Sequence, residues 1–361
     1  MSEADRLQTL RERIDALDRQ LQTLISERAR CAQQVGAIKQ AAGATGNFYR
    51  PEREAQVLRR VIEANQGPLS SEEMARLFRE IMSACLALEE PLKIAFLGPE
   101  GTFTQAAALK HFGKSIRSIP LRAIDEVFRE VEAGSADYGV VPVENSTEGV
   151  VNHTLDMFLQ SPLRICGEVQ MRINHHLLTC ATELTAIRRI YSHRQSLAQC
   201  REWLDANLPR VEQLEVSSNG EAALRVRDAG DVAAIAGQGA ADIYQVPILV
   251  RNIEDEPNNT TRFLIIGAQP IAPSGDDKTA LLVASLNRSG ALFKLLEPLA
   301  RNHVSMTRIE SRPSRRGMWD YVFFIDLDGH AQDQPVANAL AELREQASLF
   351  RVLGSYPKGV L

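Results

Sequence analysis

An apolar run from Tyr138 to Val143 stops abruptly in Glu144-Asn145-Ser146-Thr147-Glu148-Gly149. Such a run reads as a buried strand of a parallel sheet. A helical pattern follows at Val150, Val151, Leu155, Phe158 and Leu159. Open α/β sheets bind ligands at the carboxyl ends of strands, where the first N–H groups of the next helix also hold anions. A carboxylate, an amide and a hydroxyl packed into that loop suit a small polar anion, although a capped βα turn uses the same residue types. Three more segments carry compatible groups: Ser192-His193-Arg194-Gln195, Ser217-Ser218-Asn219, and Asn258 to Phe263. In the last, Thr260, Thr261 and Arg262 stand at the start of an apolar strand, Phe263–Ile266. His193 is a candidate base there, although a lone histidine more often serves structure.

A second set of groups lies near the N-terminus. Residues 5–42 hold no proline and one glycine, Gly36. Leu7, Leu10, Ile14, Leu17, Leu21 and Leu24 follow a heptad seam that resumes at Cys31, Val35 and Ile38. Arg28 occupies the seam position between Leu24 and Cys31. A charge there is costly unless it is paired; snorkelling, or a bridge to Glu27, is the structural alternative. Lys39 lies 39 − 28 = 11 residues further on, about three turns, and so shares that face. Arg11 lies 28 − 11 = 17 residues earlier and is rotated by roughly 100°. One straight helix cannot aim all three cations at one point. A second copy could supply Arg11, so a dimer with shared sites is expected.

Composition bounds the remaining classes. At 361 residues the chain has room for two or three domains, each burying its own core. A 24% charged content with a formal charge of −5 gives no general reason to expect nucleic acid or an anionic membrane as partner. No stretch approaches the ~18 apolar residues of a membrane span. Met1 to Arg6 lacks the apolar core of a signal peptide, so a cytoplasmic protein is expected. Five dispersed cysteines without a C-x-x-C pair read as reduced thiols. The histidines form no H-E-x-x-H pattern, so no metal is expected. The glycines of Gly98-Pro99-Glu100-Gly101 match no phosphate-loop pattern either.

The elements that must position these groups follow in order. Pro51-Glu52-Arg53-Glu54 opens a second helix, with proline in the first turn and acids where the helix dipole favours them. Ser70 caps a third helix that runs to about Glu90. Pro91 ends the helical region, and Leu92–Leu97 reads as a strand. A weak internal echo follows. A helical stretch from Val127 leads to the strand at Tyr138, and another from Ala222 leads to the strand at Val232. This suggests two similar α/β lobes with a cleft between them. From Lys278 the pattern is strand (279–286), helix (291–301), strand (304–310), hairpin (314–317), strand (319–326), helix (335–347) and strand (350–354). That is βαββαβ, a ferredoxin-like α+β fold. Its turn at Asn287–Gly290 leads onto a helix N-terminus able to receive a carboxylate, and its edge strands suggest pairing between subunits.

Leu10-Arg11, Ile14-Asp15, Glu27-Arg28, Val35-Gly36, Lys39, Arg53-Glu54 and Leu77 to Met82 resemble the all-helical chorismate mutases. The resemblance covers about residues 5–90 and implies a dimeric all-α domain over 1–91. The implied reaction rearranges chorismate, a dicarboxylate, with no covalent intermediate. Catalysis is then positioning plus stabilisation of charge on the breaking ether oxygen. By resemblance, Arg28 and Arg11 of a second copy clamp carboxylates, as guanidinium geometry allows. Lys39 donates to the ether oxygen, Glu54 binds the ring hydroxyl, and Arg53 contacts the substrate. Glu89 stands where some relatives have Gln, and a carboxyl replaces that amide as donor only when protonated. Arg50 and Cys85 also depart from the family pattern.

Residues 93–268 resemble prephenate dehydratase through Phe96 to Thr104, Val141 to Ser146 with Glu148-Gly149, Ser192-His193, Gln195, Leu197 to Cys200, and Asn259 with Thr261-Arg262-Phe263. The implied domain, 92–270, is α/β and bilobal, periplasmic-binding-protein-like. It removes water and CO2 from prephenate to give phenylpyruvate, with no cofactor. Thr261 becomes the key hydroxyl, and Arg262 with the Asn145–Ser146 loop holds carboxylates. Glu144, His193, Gln195, Ser218 and Asn219 complete the implied site, and Thr261 or His193 assists the leaving hydroxide. Arg194 and Asn219 replace a common proline and threonine. Residues 278–361 resemble the phenylalanine-binding ACT domain through Gly290-Ala291-Leu292, Asn302 and Ile309 to Pro313. Gly290, Ala291, Leu292, Asn302, Glu310, Ser311 and Arg312 are the implied effector contacts. The expected molecule is a homodimer or dimer of dimers. A dehydratase whose helical domain only dimerises and a non-catalytic two-lobed binding protein are the competing readings. Intact Arg28 and Lys39 oppose the first, and the Thr261-Arg262 motif opposes the second.

Overall fold

The computed structural model describes residues 2–41, 49–227, 229–285, 288–313 and 321–360. Three helices lead: α1 (Glu3–Ala41), α2 (Pro51–Ala64) and α3 (Ser71–Ala87). Ser70 caps α3 by accepting from the Glu73 amide, and α2 packs along α3. The 39 residues of α1 make a rod about 58 Å long at 1.5 Å per residue. Its leucine seam is open to solvent: Leu24 is 61% and Ile38 69% exposed, with Leu7, Leu10, Ile14, Leu17 and Leu21 little less so. An apolar stripe of that length needs a partner.

The first α/β lobe contains β1 (Lys93–Leu97), α4 (Phe103–Phe112), β2 (Arg117–Leu121), α5 (Ile124–Glu132), β3 (Tyr138–Asn145), β4 (Gly149–Val150), α6 (Asn152–Phe158) and β5 (Arg164–Arg172). The chain then builds a second lobe from β6 (His176–Leu178), β7 (Arg189–Ser192), α7 (Arg194–Gln199), α8 (Arg201–Asn207), β8 (Glu212–Glu215), α9 (Asn219–Val226), β9 (Val232–Ala236), α10 (Gln238–Tyr244) and β10 (Ile248–Val250). It returns to the first lobe as β11 (Thr260–Gly267). Two chain crossings therefore join the lobes, side by side where the Ile173 amide donates to the Asn259 carbonyl at 2.8 Å. The sheets run β2-β1-β3-β11-β5, with β4 beside β3, and β10-β6-β9-β7-β8. The internal echo has a topological counterpart. β3 runs parallel to β1 and antiparallel to β11, as β9 runs parallel to β7 and antiparallel to β6; the short β4 adds a second antiparallel partner to β3.

Two expectations at β3 need correction. Its sheet is mixed, because β11 runs antiparallel to it. The polar stretch after it is a β-hairpin, not a βα turn: Gly149 pairs with Asn145 and Val150 with Glu144. Asn145 Oδ1 accepts from the Thr147 and Glu148 amides at 3.0 Å each. An asparagine side chain that captures its own following backbone favours a turn over a helix start. Gly149 then supplies the positive φ of 82°.

The last domain comprises β12 (Asp277–Ala284), α11 (Ala291–Arg301), β13 (Met306–Pro313), β14 (Tyr321–Asp328), α12 (Gln334–Gln346) and β15 (Leu349–Pro357). Its antiparallel order is β13-β14-β12-β15. Asn287 and the expected hairpin at 314–317 lie outside the described residues. Strand alternation divides this sheet. Leu281, Val283, Ile325 and Leu327 pack under the helices, while Ala280, Leu282, Val322 and Phe324 join Val141, Leu264 and Ile266 of the first lobe. At Gly354 a Cβ would lie 2.1 Å from the Ile165 carbonyl oxygen, so only glycine lets β15 approach β5 this closely. Among the described residues no helix is long and apolar enough to cross a membrane. Nor does any cluster of three His, Cys, Asp or Glu side chains there suit a metal ion.

Candidate active sites

A cavity of about 280 Å³ opens beside the helices. Arg28 and Lys39 of α1, Arg53 and Glu54 of α2, and Glu89 just beyond α3 all line it. These are five of the six residues expected at a chorismate site. Arg11 is not among them; it is exposed on α1, as its helical phase requires. Gly36 is buried against Glu89, where a Cβ would stand 2.6 Å from the carboxyl carbon. The lack of a side chain at Gly36 thus clears space for Glu89. Glu89 Oε2 is buried with no hydrogen-bond partner among the described residues, and a buried acceptor in that state calls for a ligand or water.

Glu54 is held by a residue that sequence reasoning missed. Arg79 Nε donates to Glu54 Oε1 at 3.2 Å, and both side chains are largely buried. Burial raises the Glu54 pKa, while Arg79 and a hydrogen bond from Tyr49 pull it back down. The sequence signal for Arg79 was its place on α3, in the Leu77-Phe78-Arg79 segment that carries the family likeness. Its partner could be known only from the packing of α2 on α3.

Between the lobes lies a cleft of about 1020 Å³. Asn145 and Thr261 line it from the first lobe, and His193, Gln195, Ser218 and Asn219 from the second. Thr261 Oγ1 accepts from Asn145 Nδ2 at 2.8 Å, and the same nitrogen donates to Asn259 Oδ1 at 2.7 Å. Asn259 Nδ2 donates to Gln199 Oε1 at 3.1 Å, which His175 Nε2 also meets at 2.8 Å. Gln199 Nε2 reaches the hairpin at Thr147 and Glu148. An amide network thus ties the second lobe to the Thr261 hydroxyl. Gln199 was visible in the Leu197–Cys200 motif; His175 was not singled out.

Several cleft residues also hold backbone. His193 Nδ1 accepts from the Gln195 amide and caps α7. Burial lowers its pKa, against the pull of Glu215 and Glu148, so the neutral ring is favoured and a role as proton donor is disfavoured. Ser218 caps α9 by accepting from the Glu221 amide. Asn219 Oδ1 takes the Ser192 hydroxyl and the His193 amide, and its Nδ2 donates to Ser196.

Three residues expected at the cleft lie elsewhere. Ser146 Oγ accepts from the Thr260 amide and stitches the hairpin to β11. Glu144 Oε2 accepts from Arg308 Nε of β13 at 2.8 Å. Arg262 donates to Glu168 at 2.8 Å, to Asp326 at 2.6 Å and to the Tyr356 hydroxyl at 3.0 Å. Burial opposes its charge, yet Tyr356, Asp326 and Glu168 more than offset this and its pKa is raised. The expectation that Arg262 holds a substrate carboxylate is therefore corrected. Thr261 pairs with Asn145 and Arg262 with Glu144 on adjacent rungs of one ladder, and successive rungs face opposite sides. Among the described residues the arginine lining the cleft is Arg122, just after β2, which sequence reasoning missed.

Three family profiles match in order: chorismate mutase type II over 10–90, prephenate dehydratase over 94–271, and ACT over 279–345. The chain is 60% identical to a bifunctional chorismate mutase/prephenate dehydratase of Stutzerimonas stutzeri, with 100% of both chains covered. The identity to a protein of the same name from Pseudomonas aeruginosa is 58%, again over 100% of both. The chain belongs to the bifunctional chorismate mutase/prephenate dehydratase family. A solved structure of Arthrobacter aurescens prephenate dehydratase in complex with L-Phe superposes with a TM-score of 0.68 at 37% identity, covering 74% of this chain and 90% of that one.

In this family member the ACT residues split into two groups. Gly290 (φ 76°), Ala291 and Leu292 start α11, whereas Asn302 ends it, bonding the Pro298 carbonyl and Glu342. The 11 residues between put about 16 Å between these ends. Glu310, Ser311 and Arg312 lie on the edge strand β13. Arg312 is committed to the dehydratase lobe, bonding Asn152 at 2.6 Å and Asp156 at 2.7 Å. One small amino acid cannot span both ends of α11 within one chain.

Proposed function

We propose that the two activities divide between the helical cavity and the interlobe cleft. The observation that carries this reading is the convergence of Arg28, Lys39, Arg53, Glu54 and Glu89 in one cavity and of Asn145, Thr261 and Gln199 in another. In the first, Arg28 and Arg53 hold the carboxylates of chorismate, Lys39 and protonated Glu89 donate to the ether oxygen, and Glu54 takes the ring hydroxyl. Arg11 comes from a second copy docked along the open seam of α1, so the working unit is a dimer or a dimer of dimers. In the second, prephenate loses water and CO2. Asn145 donates to Thr261 Oγ1, which leaves the threonine O–H to be given to the departing hydroxyl. Threonine is a weak acid, so orientation and hydrogen bonding carry more of the rate than proton transfer. Arg122, with the N-termini of α4 and α9, receives the carboxylates in place of Arg262.

Phenylalanine, bound between ACT domains of two copies, represses the second reaction by favouring one arrangement of the lobes. The chemistry needs no cofactor, and a cytoplasmic location suits it. The test is to supply purified protein with chorismate and to follow prephenate and phenylpyruvate, with and without phenylalanine. Formation of both products, with phenylpyruvate alone suppressed by phenylalanine, is expected. Conversion of added prephenate without turnover of chorismate would reduce the helical domain to a dimerisation device.

A further inference from the structure

The chorismate cavity is not walled by the helical domain alone. Phe112, Ser115 and Ile116, from the turn between α4 and β2 of the dehydratase lobe, also line it. The contact is close and polar as well as apolar. The Ser115 amide donates to Ser83 Oγ at 3.3 Å and the Lys114 amide to Glu80 at 3.1 Å. Gly113 has φ +75°, and a Cβ there would lie 2.5 Å from Ser83 Cβ. Any larger residue would both strain the backbone and push the turn from α3. A second link runs through Glu54. Arg79, which holds that carboxyl, also donates through Nη1 to the Lys110 carbonyl at 2.8 Å.

We infer that the dehydratase segment Lys110–Ile116 is a working part of the chorismate site, walling it directly and positioning Glu54 through Arg79. The inference rests on the proposed assignment of the helical cavity to chorismate. Ile116 and Phe112 supply apolar surface for the ring in the cavity that the cations of α1 also line. The Lys110 carbonyl fixes the guanidinium that fixes the carboxylate. Arg79 is thus a positioning residue: it acts on substrate only through Glu54. The same segment joins the two sites physically. α4 starts at Phe103 in the prephenate cleft and ends at Phe112 in the chorismate cavity, and β2 leads from the turn back to Leu121 and Arg122 at the cleft. A 10-residue helix spans about 15 Å, so each site borders one end of a single rigid element.

The test is steady-state kinetics of the full chain, with chorismate and prephenate supplied separately. Ile116→Trp is expected to raise the chorismate KM about tenfold while prephenate kcat/KM stays within about twofold, the mark of lost substrate binding at one site only. Arg79→Met is expected to lower chorismate kcat about tenfold. It should also move the acid limb of the mutase pH profile upward, because Arg79 and Tyr49 are the groups that oppose the effect of burial on Glu54. Arg79→Lys, which keeps the charge but not the fork, should recover part of the loss. Retained prephenate turnover certifies a folded chain, and Ile116→Ala replaces the tryptophan variant if that one loses both activities. Unchanged chorismate kinetics in the Ile116 and Arg79 variants would overturn the inference, as would equal losses on both substrates in Ile116→Ala or Arg79→Met. Wild-type turnover of chorismate in the same assay separates that result from failure of the mutase assignment itself.

Discussion

Thr261 and Arg262 are consecutive on β11, yet they serve different domains. Thr261 Oγ1 meets Asn145 at 2.8 Å in the cleft, while Arg262 meets Asp326 of the ACT sheet at 2.6 Å. The rung that faces the cleft is thereby covalently next to the rung that faces the ACT domain. Thr261→Ala should cut dehydratase kcat about 100-fold by removing a donor to developing charge, and leave chorismate turnover unchanged. Arg262→Ala strands buried Asp326 and leaves Glu168 with Lys278 alone, which should cost about 3 kcal/mol of stability. Chemical denaturation of the two variants distinguishes these roles; a Thr261-like kinetic defect without loss of stability at Arg262 would contradict the assignment.

Among the described residues Arg122 is the arginine that lines the interlobe cleft. Arg122→Ala should raise the prephenate KM about tenfold, with chorismate kinetics unaffected. Dehydratase assays across ionic strength provide a second check, because an exposed guanidinium is screened by salt. An unchanged KM would return the carboxylates to the helix N-termini alone.

Glu89 replaces an amide with a carboxyl, and only the protonated form donates to the ether oxygen. Glu89→Gln supplies a donor whatever the state of the carboxyl, so mutase kcat in the variant should equal or exceed that of wild type at neutral pH. A variant with clearly lower kcat and an unchanged fold would show that Glu89 is not the donor.

His111 is partly buried beside Tyr49, its Nε2 3.3 Å from the tyrosine hydroxyl, and desolvation followed by the charge of Arg79 lowers its pKa to about 3. Between that value and the ordinary 6.5, the unfolded chain binds a proton that the folded chain refuses. Stability then rises with pH through this window and is lost on acidification, by about 1.4 kcal/mol per pH unit. The contribution is complete above pH 6.5. The denaturation midpoint of His111→Gln, compared with wild type from pH 7 downward, should show a shallower acid decline; parallel curves would assign the acid sensitivity to carboxylates instead.

The open seam of α1 and the absence of Arg11 from the cavity both point to a second copy. Arg11→Ala and Arg28→Ala should each abolish mutase activity. Mixed and allowed to exchange subunits, they should recover about a quarter of it, since half of the dimers are mixed and each mixed dimer holds one intact site. No recovery in mixtures whose exchange is verified would place Arg11 outside the site.

Much of this protein was decided locally. Heptad spacing from Leu7 to Leu24, the apolar run before Glu144 and the βαββαβ succession after Lys278 depend on periods of 3.5 and 2 that a chain displays without being folded. The motifs around Arg28, Asn145 and Thr261 are contiguous for the same reason: each is a single turn or strand end. The linear chain could not say which face of β11 lines the cleft. Alternation separates Thr261 from Arg262 but assigns neither to a side until the ACT sheet covers one of them. Nor could it join Arg79 to Glu54, bring Arg122 to the cleft, or set Ile116 against the chorismate cavity. Those relationships join residues distant in sequence, and only tertiary packing, of helix on helix, lobe on lobe and domain on domain, creates them.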